Sequence, residues 1–215
     1  GWEAPDGTAL AASAGCYFLT PNDSAHNSWT LWLARPSQPD NIVVHIFSTR
    51  LQQESLKTLG SVGGKLFFPV RPLNGTGASQ LWYVEGADAT HLADMRATRG
   101  IATLGNTLLF VGDGEPWRSD GTVAGTRLIA DLNQSSTLHG WPDRALRING
   151  KTYFQAISGD GNAGADVFTT DGTSAGTLAM PQHVSLETLR RPTTPQGQVY
   201  VEHAAGVQEF RLAIA

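Results

Sequence analysis

Ser119-Asp120-Gly121-Thr122-Val123-Ala124-Gly125-Thr126 returns 51 positions later as Thr170-Asp171-Gly172-Thr173-Ser174-Ala175-Gly176-Thr177. A near-copy of this length at a fixed offset marks a repeat architecture. Its letters describe a hairpin connection. Asp accepts hydrogen bonds from backbone amides just ahead of it, Gly supplies a positive φ, and the β-branched Thr restarts an extended chain. Each copy follows an aromatic strand, Pro116-Trp117-Arg118 and Val167-Phe168-Thr169, and Arg127-Leu128-Ile129-Ala130-Asp131-Leu132 after the first copy reads as a further strand.

Two signals alternate along the whole chain. The first is an apolar or aromatic strand behind a turn: Cys16-Tyr17-Phe18, Leu66-Phe67-Phe68, Leu108-Leu109-Phe110, Thr152-Tyr153-Phe154 and Val199-Tyr200-Val201. The second follows each of these after a polar loop: Leu31-Trp32-Leu33, Leu81-Trp82-Tyr83, Pro116-Trp117-Arg118, Val167-Phe168-Thr169 and Glu209-Phe210-Arg211. Successive first signals lie 50, 42, 44 and 47 residues apart, a period that suits one four-stranded β-propeller blade. The expected fold is therefore all-β: a five-bladed β-propeller of four-stranded antiparallel blades, one domain over 1–215 with blades near 8–50, 51–97, 98–138, 139–185 and 186–215. Only three strands can be read in the last blade, near Leu186 to Leu189, Val199 to His203 and Val207 to Ile214. Residues Gly1 to Pro5 are expected to join it as the outer strand and close the ring. Closure matters because a single blade cannot bury its own sheet faces.

The third and fourth units resemble the bacterial Glu-Leu-Trp-x-x-Asp-Gly-Thr-x-x-Gly-Thr repeats, a propeller-type repeat of secreted and cell-surface proteins. The motif fades elsewhere: Leu81-Trp82 lacks the Asp-Gly-Thr turn, and Leu31-Trp32 leads into Arg35-Pro36-Ser37. The resemblance implies an extracellular, periplasmic or cell-surface propeller and supplies no catalytic residues.

Composition agrees with many short strands. Among 215 residues there are 24 Gly and 11 Pro, with 40% hydrophobic and 16% charged residues. The net charge of −4, without a Lys or Arg run able to follow a phosphate backbone, argues against nucleic acid as a partner. No apolar stretch approaches the ~20 residues of a membrane helix, so membrane insertion is not expected. The single cysteine, Cys16, excludes an internal disulfide and reads as an isolated buried thiol. The chain begins at Gly1 with neither a methionine nor a charged-then-apolar leader, and is expected to be an excised or mature form.

Trp32, Trp82 and Trp117, with Phe168 and Phe210, recur at one position of the repeat and are expected to pack between blades. Trp29 and Trp141 stand outside that pattern. Trp29 closes the polar run Pro21 to Ser28, and Trp141 sits in Leu138-His139-Gly140-Trp141-Pro142-Asp143 between two blades. In a propeller both loop classes emerge on one face, together with the loops holding Asn74, Asp113, and Asp160 with Asn162. Aromatic planes beside amide and carboxylate side chains are what a sugar site requires: a face for C–H stacking, and donors and acceptors for hydroxyls. The candidate ligand-binding residues are therefore Trp29, Trp141, His139, Asn74, Asp113, Asp160 and Asn162.

No cofactor is expected. Asp160-Gly161-Asn162 with Asp166 offers oxygen ligands at a spacing calcium could use, although it is not an EF-hand. The six histidines lack the paired short spacings of a zinc site. No nucleophile elbow, HExxH, phosphate loop or reactive cysteine is present. Three functions compete: a non-catalytic carbohydrate-binding or lectin-like module of a secreted or cell-surface protein, a protein-interaction scaffold within a larger adhesin or envelope assembly, and a glycoside hydrolase with central carboxylates. The hydrolase would draw on Glu54, Asp113, Glu115, Asp160 or Glu187. The expected partner is a glycan or another protein.

Overall fold

The computed structural model describes residues 9–12, 15–36, 38–52, 58–73, 79–132, 140–148, 151–157 and 165–180. Within them the chain is all β and contains no helix. Sixteen strands form four sheets, each built from four consecutive strands. The first holds β1 (Ala9–Ala12), β2 (Gly15–Pro21), β3 (Trp29–Ala34) and β4 (Ile42–Phe47), and the second β5 (Gly60–Val62), β6 (Lys65–Val70), β7 (Gln80–Glu85) and β8 (Asp88–Asp94). The third holds β9 (Ala97–Leu104), β10 (Thr107–Gly112), β11 (Glu115–Ser119) and β12 (Arg127–Leu128), and the fourth β13 (Asp143–Ile148), β14 (Lys151–Ile157), β15 (Ala165–Thr170) and β16 (Leu178–Ala179). Neighbours in the first, second and fourth sheets pair antiparallel, as does β9 with β10. The expected fifth unit, 186–215 with Gly1 to Pro5, lies outside the described residues.

The described residues fall into two compact units. One is drawn from Gly1–Asp113 with Arg118–Arg127, the other from Gly114–Trp117 with Leu128–Ala215. In the first unit the core lies between the first two sheets. Tyr17, Leu19, Leu31, Leu33 and Phe47 of one sheet bury against Leu66, Phe68, Val70, Trp82 and Val84 of the other. Alternate residues of each strand supply this layer, as a period of two requires. Strand β6 is buried from Leu66 through Val70, so both of its faces are covered. The repeat tryptophan also sits at a recurring backbone irregularity: the β3–β4 register shifts between Leu31 and Trp32, and the β7–β8 register between Leu81 and Trp82. A bulge re-aims a strand and raises its twist, and here it coincides with the repeat tryptophan of each sheet. In the second unit, Phe154 of β14 and Phe168 of β15 stack with centroids 5.6 Å apart.

The two Asp-Gly-Thr turns carry one hydrogen-bond network twice. In the third sheet, Thr122 donates from its amide (2.9 Å) and its hydroxyl (2.7 Å) to Asp120 Oδ1, and the Gly125 amide donates to Thr122 Oγ1 (2.9 Å). In the fourth, Thr173 donates to Asp171 Oδ1 at 2.8 and 2.7 Å, and Gly176 donates to Thr173 Oγ1 at 3.0 Å. The glycine after each aspartate has φ of 86° at Gly121 and 87° at Gly172, a region that side chains rarely enter. Within the first unit a side chain of one sheet reaches the connection between third and fourth strands of the next: the Tyr17 hydroxyl donates to Gly86 O (2.7 Å) in the β7–β8 turn, and Lys65 Nζ approaches Asp120 O at 3.5 Å.

Candidate functional site

The segments that join one sheet to the next are held by the turns between second and third strands. After β4, Leu51 bridges Pro72, with Gln52 N donating to Arg71 O and Leu73 N to Arg50 O. After β8, Asp113 and Arg96 clasp each other: Asp113 N donates to Arg96 O (3.1 Å), and Arg96 N donates to Asp113 Oδ1 (2.9 Å). Asp113 adopts φ 48°, a left-handed conformation that short polar side chains tolerate through such local bonds. After β12, in the second unit, Glu115 performs the clasp with both carboxylate oxygens. Oε1 accepts from Gly140 N (2.6 Å) and Oε2 from Leu132 N (3.0 Å), so one side chain ties both ends of the 133–139 connection. Glu115 is only 8% exposed, and its buried carboxyl oxygens are matched by backbone donors.

This clasp presents Trp141. Gly140 N is held by Glu115, Gly140 O accepts from Ile157 N (2.7 Å), and Trp141 N donates to Gly114 O (2.7 Å). Pro142 beyond it is buried and fixes its own φ. Trp141 is 44% exposed and stands at φ 45°, costly for a bulky residue and persistent only where neighbours determine it.

Trp29 is placed differently from its expected loop. It opens β3, opposite Pro21 and Phe47, and packs half-buried against the core because the strand begins at the aromatic itself, directly after the polar run. Its Nε1–H donates to His26 O (3.2 Å), and the His26 ring meets it edge-on at 5.4 Å. The loop before it is closed on itself: Asp23 accepts from Asn27 N (3.1 Å) and Ser28 Oγ, and Thr30 donates to Asn22 Oδ1 (2.6 Å). The amide of Asn27 holds the Asp23 carboxyl below its usual range.

Of the other candidates, Asn74, His139, Asp160 and Asn162 lie outside the described residues. Trp29 and Asp113 belong to the first unit and Trp141 to the second, and no hydrogen bond or ring contact joins Trp29 to Asp113. Among the described residues no group of three or more His, Cys, Asp or Glu is placed to hold a metal ion. Cys16, expected buried, is half-buried, because β2 becomes covered only from Tyr17 onward.

From the sequence Glu115 is a candidate hydrolase carboxylate, and its structural role as a clasp is not apparent. The signal that could have found its role is positional. Thr30, Gln80, Glu115 and Asp166 all stand two residues before the repeat aromatic, at a site covered enough to force each polar group to find a partner. Thr30 bonds Asn22, Gln80 accepts from Trp82 Nε1 (3.0 Å), and Glu115 takes the two amides.

No protein-family model and no curated protein matches the chain. Among solved structures it is similar to the acylaminoacyl peptidase of Pyrococcus horikoshii, at 10% identity and a TM-score of 0.49 over 81% of this chain and 27% of that one. It is also similar to the AtxE2 isopeptidase, at 13% identity and a TM-score of 0.39 over 72% and 25%, and to a prolyl endopeptidase, at 15% and 0.45 over 85% and 28%. The chain spans about a quarter of the length of these three proteins.

Proposed function

We propose that the chain is a non-catalytic carbohydrate-binding module with Trp141 as its stacking platform. The observation that carries this reading is the exposed indole held in a left-handed backbone conformation between anchored neighbours. A rigid aromatic face offers contact area at low entropic cost, and the anchoring is in place before a ligand arrives. The scaffold in this reading is a closed five-bladed propeller whose fifth blade is 186–215 completed by Gly1 to Pro5. Support comes from four successive four-stranded sheets and from Val199-Tyr200-Val201 and Glu209-Phe210-Arg211, which carry the same two repeat signals again. An extracytoplasmic location follows from the resemblance of the two Asp-Gly-Thr turns to secreted repeats.

The deciding experiment is a glycan array probed with the protein, with Trp141→Ala and with Trp29→Ala. Retention of a glycan that Trp141→Ala abolishes supports the module. No glycan retained, or equal retention by both variants, removes it.

A protein-interaction scaffold is the second reading. It is favoured by Val43 and Ile46 of β4, which are 49% and 54% exposed. Of the carboxylates on which a hydrolase would draw, Asp113 and Glu115 both accept hydrogen bonds from backbone amides.

A further inference from the structure

We propose that Asp120 and Asp171 are two sites poised for spontaneous backbone isomerisation, and that the hydroxyl network of each turn suppresses that reaction in the folded chain. An aspartate followed by glycine is chemically exposed, because the glycine carries no Cβ to keep its amide nitrogen from the preceding side chain. Gly121 N attacks Asp120 Cγ, forming a C–N bond while the C–OH bond of the protonated carboxyl breaks. The hydroxyl and the amide proton leave as water, and a five-membered succinimide remains. Water then adds to either ring carbonyl and reopens the ring, to aspartate or to isoaspartate, in which the main chain runs through Cβ and Cγ. Mass is unchanged overall, and nothing is oxidised or reduced.

Each requirement of this step is opposed in both turns. The attacking nitrogen is engaged, since Gly121 N–H donates to Ser119 Oγ (3.1 Å) and Gly172 N–H donates to Thr170 Oγ1 (3.0 Å), both in buried settings. The electrophile is engaged at Oδ1 by two donors from a single threonine, Thr122 at Asp120 and Thr173 at Asp171. At Asp120 those donors, the hydroxyl first, keep the carboxyl below its ordinary range, so little of the protonated form that attack needs is present. The carboxylate also cannot swing freely: the space where a side chain at Gly125 would stand is filled by Asp120, and that at Gly176 by Asp171.

The proton directions make the network self-consistent. Thr126 Oγ1 donates to Thr122 O (2.7 Å), so the Ser119 hydroxyl, 2.8 Å away, donates to Thr126 and keeps a lone pair for the Gly121 amide. Thr177, Thr173 O and Thr170 repeat the arrangement at 2.7 and 2.7 Å. Thr122 and Thr173 each give their hydroxyl proton to the aspartate and accept from the later glycine. No hydroxyl in either turn is asked to donate twice. Isoaspartate would add a backbone atom inside a short hairpin connection and disturb the pairing beyond it.

The test follows isoaspartate at each position, by peptide separation and by carboxyl-methyltransferase labelling, through weeks at neutral pH and 37 °C. The expected result is formation at both sites at least tenfold slower in the native protein than in guanidinium. Thr122→Val should raise the rate at Asp120 several-fold and leave Asp171 slow, while Thr173→Val does the reverse. A variant that merely unfolds would accelerate both sites together, so the untouched turn is the internal control. Equal rates in native and unfolded protein, or a Thr122→Val protein whose two sites remain equally slow, would overturn the proposal.

Discussion

The His45 imidazole on β4 and the Trp82 indole on β7 lie with ring centroids 4.7 Å apart, joining the first sheet to the second across the core of the first unit. Phe47 closes on the same indole at 5.3 Å, and His91 of β8 reaches it at 5.3 Å. His91 also places Nε2 3.1 Å from Asp94 Oδ1, an ion pair when the ring is protonated. His45 has aromatic neighbours instead, and burial lowers its pKa below the ordinary 6.5.

Acid should therefore loosen this joint. The unfolded chain binds a proton on His45 more readily than the folded chain, so the contribution is fully present above about pH 6.5 and is lost as pH falls from there toward the lower folded value. The midpoint of urea unfolding is expected to fall between pH 7.5 and 5.5, and His45→Phe, which keeps an aromatic ring in place, should reduce that fall. An identical pH dependence in the variant would show that the loss originates elsewhere.

Three tryptophans at one repeat position differ in what their indole N–H meets. Trp32 donates to Thr20 Oγ1 (2.8 Å) and Trp82 to Gln80 Oε1 (3.0 Å), while the buried Trp117 Nε1 has no acceptor among the described residues. Glu115, at the position of Gln80, has committed both oxygens to backbone amides. A made hydrogen bond contributes ~1 kcal/mol net and an unmade buried donor costs a similar amount, so Trp117→Phe should be milder than Trp32→Phe by about 1–2 kcal/mol. Denaturant unfolding of the two variants measures the difference.

Strand order within each sheet was legible because a period of two follows from the pleat, and a repeat near 46 residues is long enough for four short strands and their turns. The hairpin role of Asp120 and Asp171 was legible too, since turn chemistry is local. Trp29 was misread because a polar run ending in an aromatic looks the same whether that aromatic belongs to the loop or opens the strand; the core under it decides. His45 and His91 stand one repeat period apart, yet their meeting at Trp82 depends on how two sheets face each other, which no short spacing encodes. Glu115 was opaque for a related reason. A carboxylate beside Asp113 and Gly114 resembles any solvated turn charge until the returning chain brings Leu132 and Gly140 to its two oxygens.

That clasp also governs how firmly Trp141 is held. Glu115→Ala removes two charge-assisted bonds and leaves the Gly140 and Leu132 amides without their acceptor, at a cost of about 2–4 kcal/mol. Glu115→Gln keeps one acceptor oxygen but turns its NH2 toward a second amide donor, and should cost roughly half as much. Both changes act on Gly140, the residue before Trp141, so they should free an indole that the wild-type backbone pins. Fluorescence anisotropy of Trp141, in a background where the other five tryptophans are Phe, is expected to fall in the order wild type, Glu115→Gln, Glu115→Ala. Reduced stability with unchanged anisotropy would mean that the bond from Trp141 N to Gly114 O holds the platform without help from Glu115.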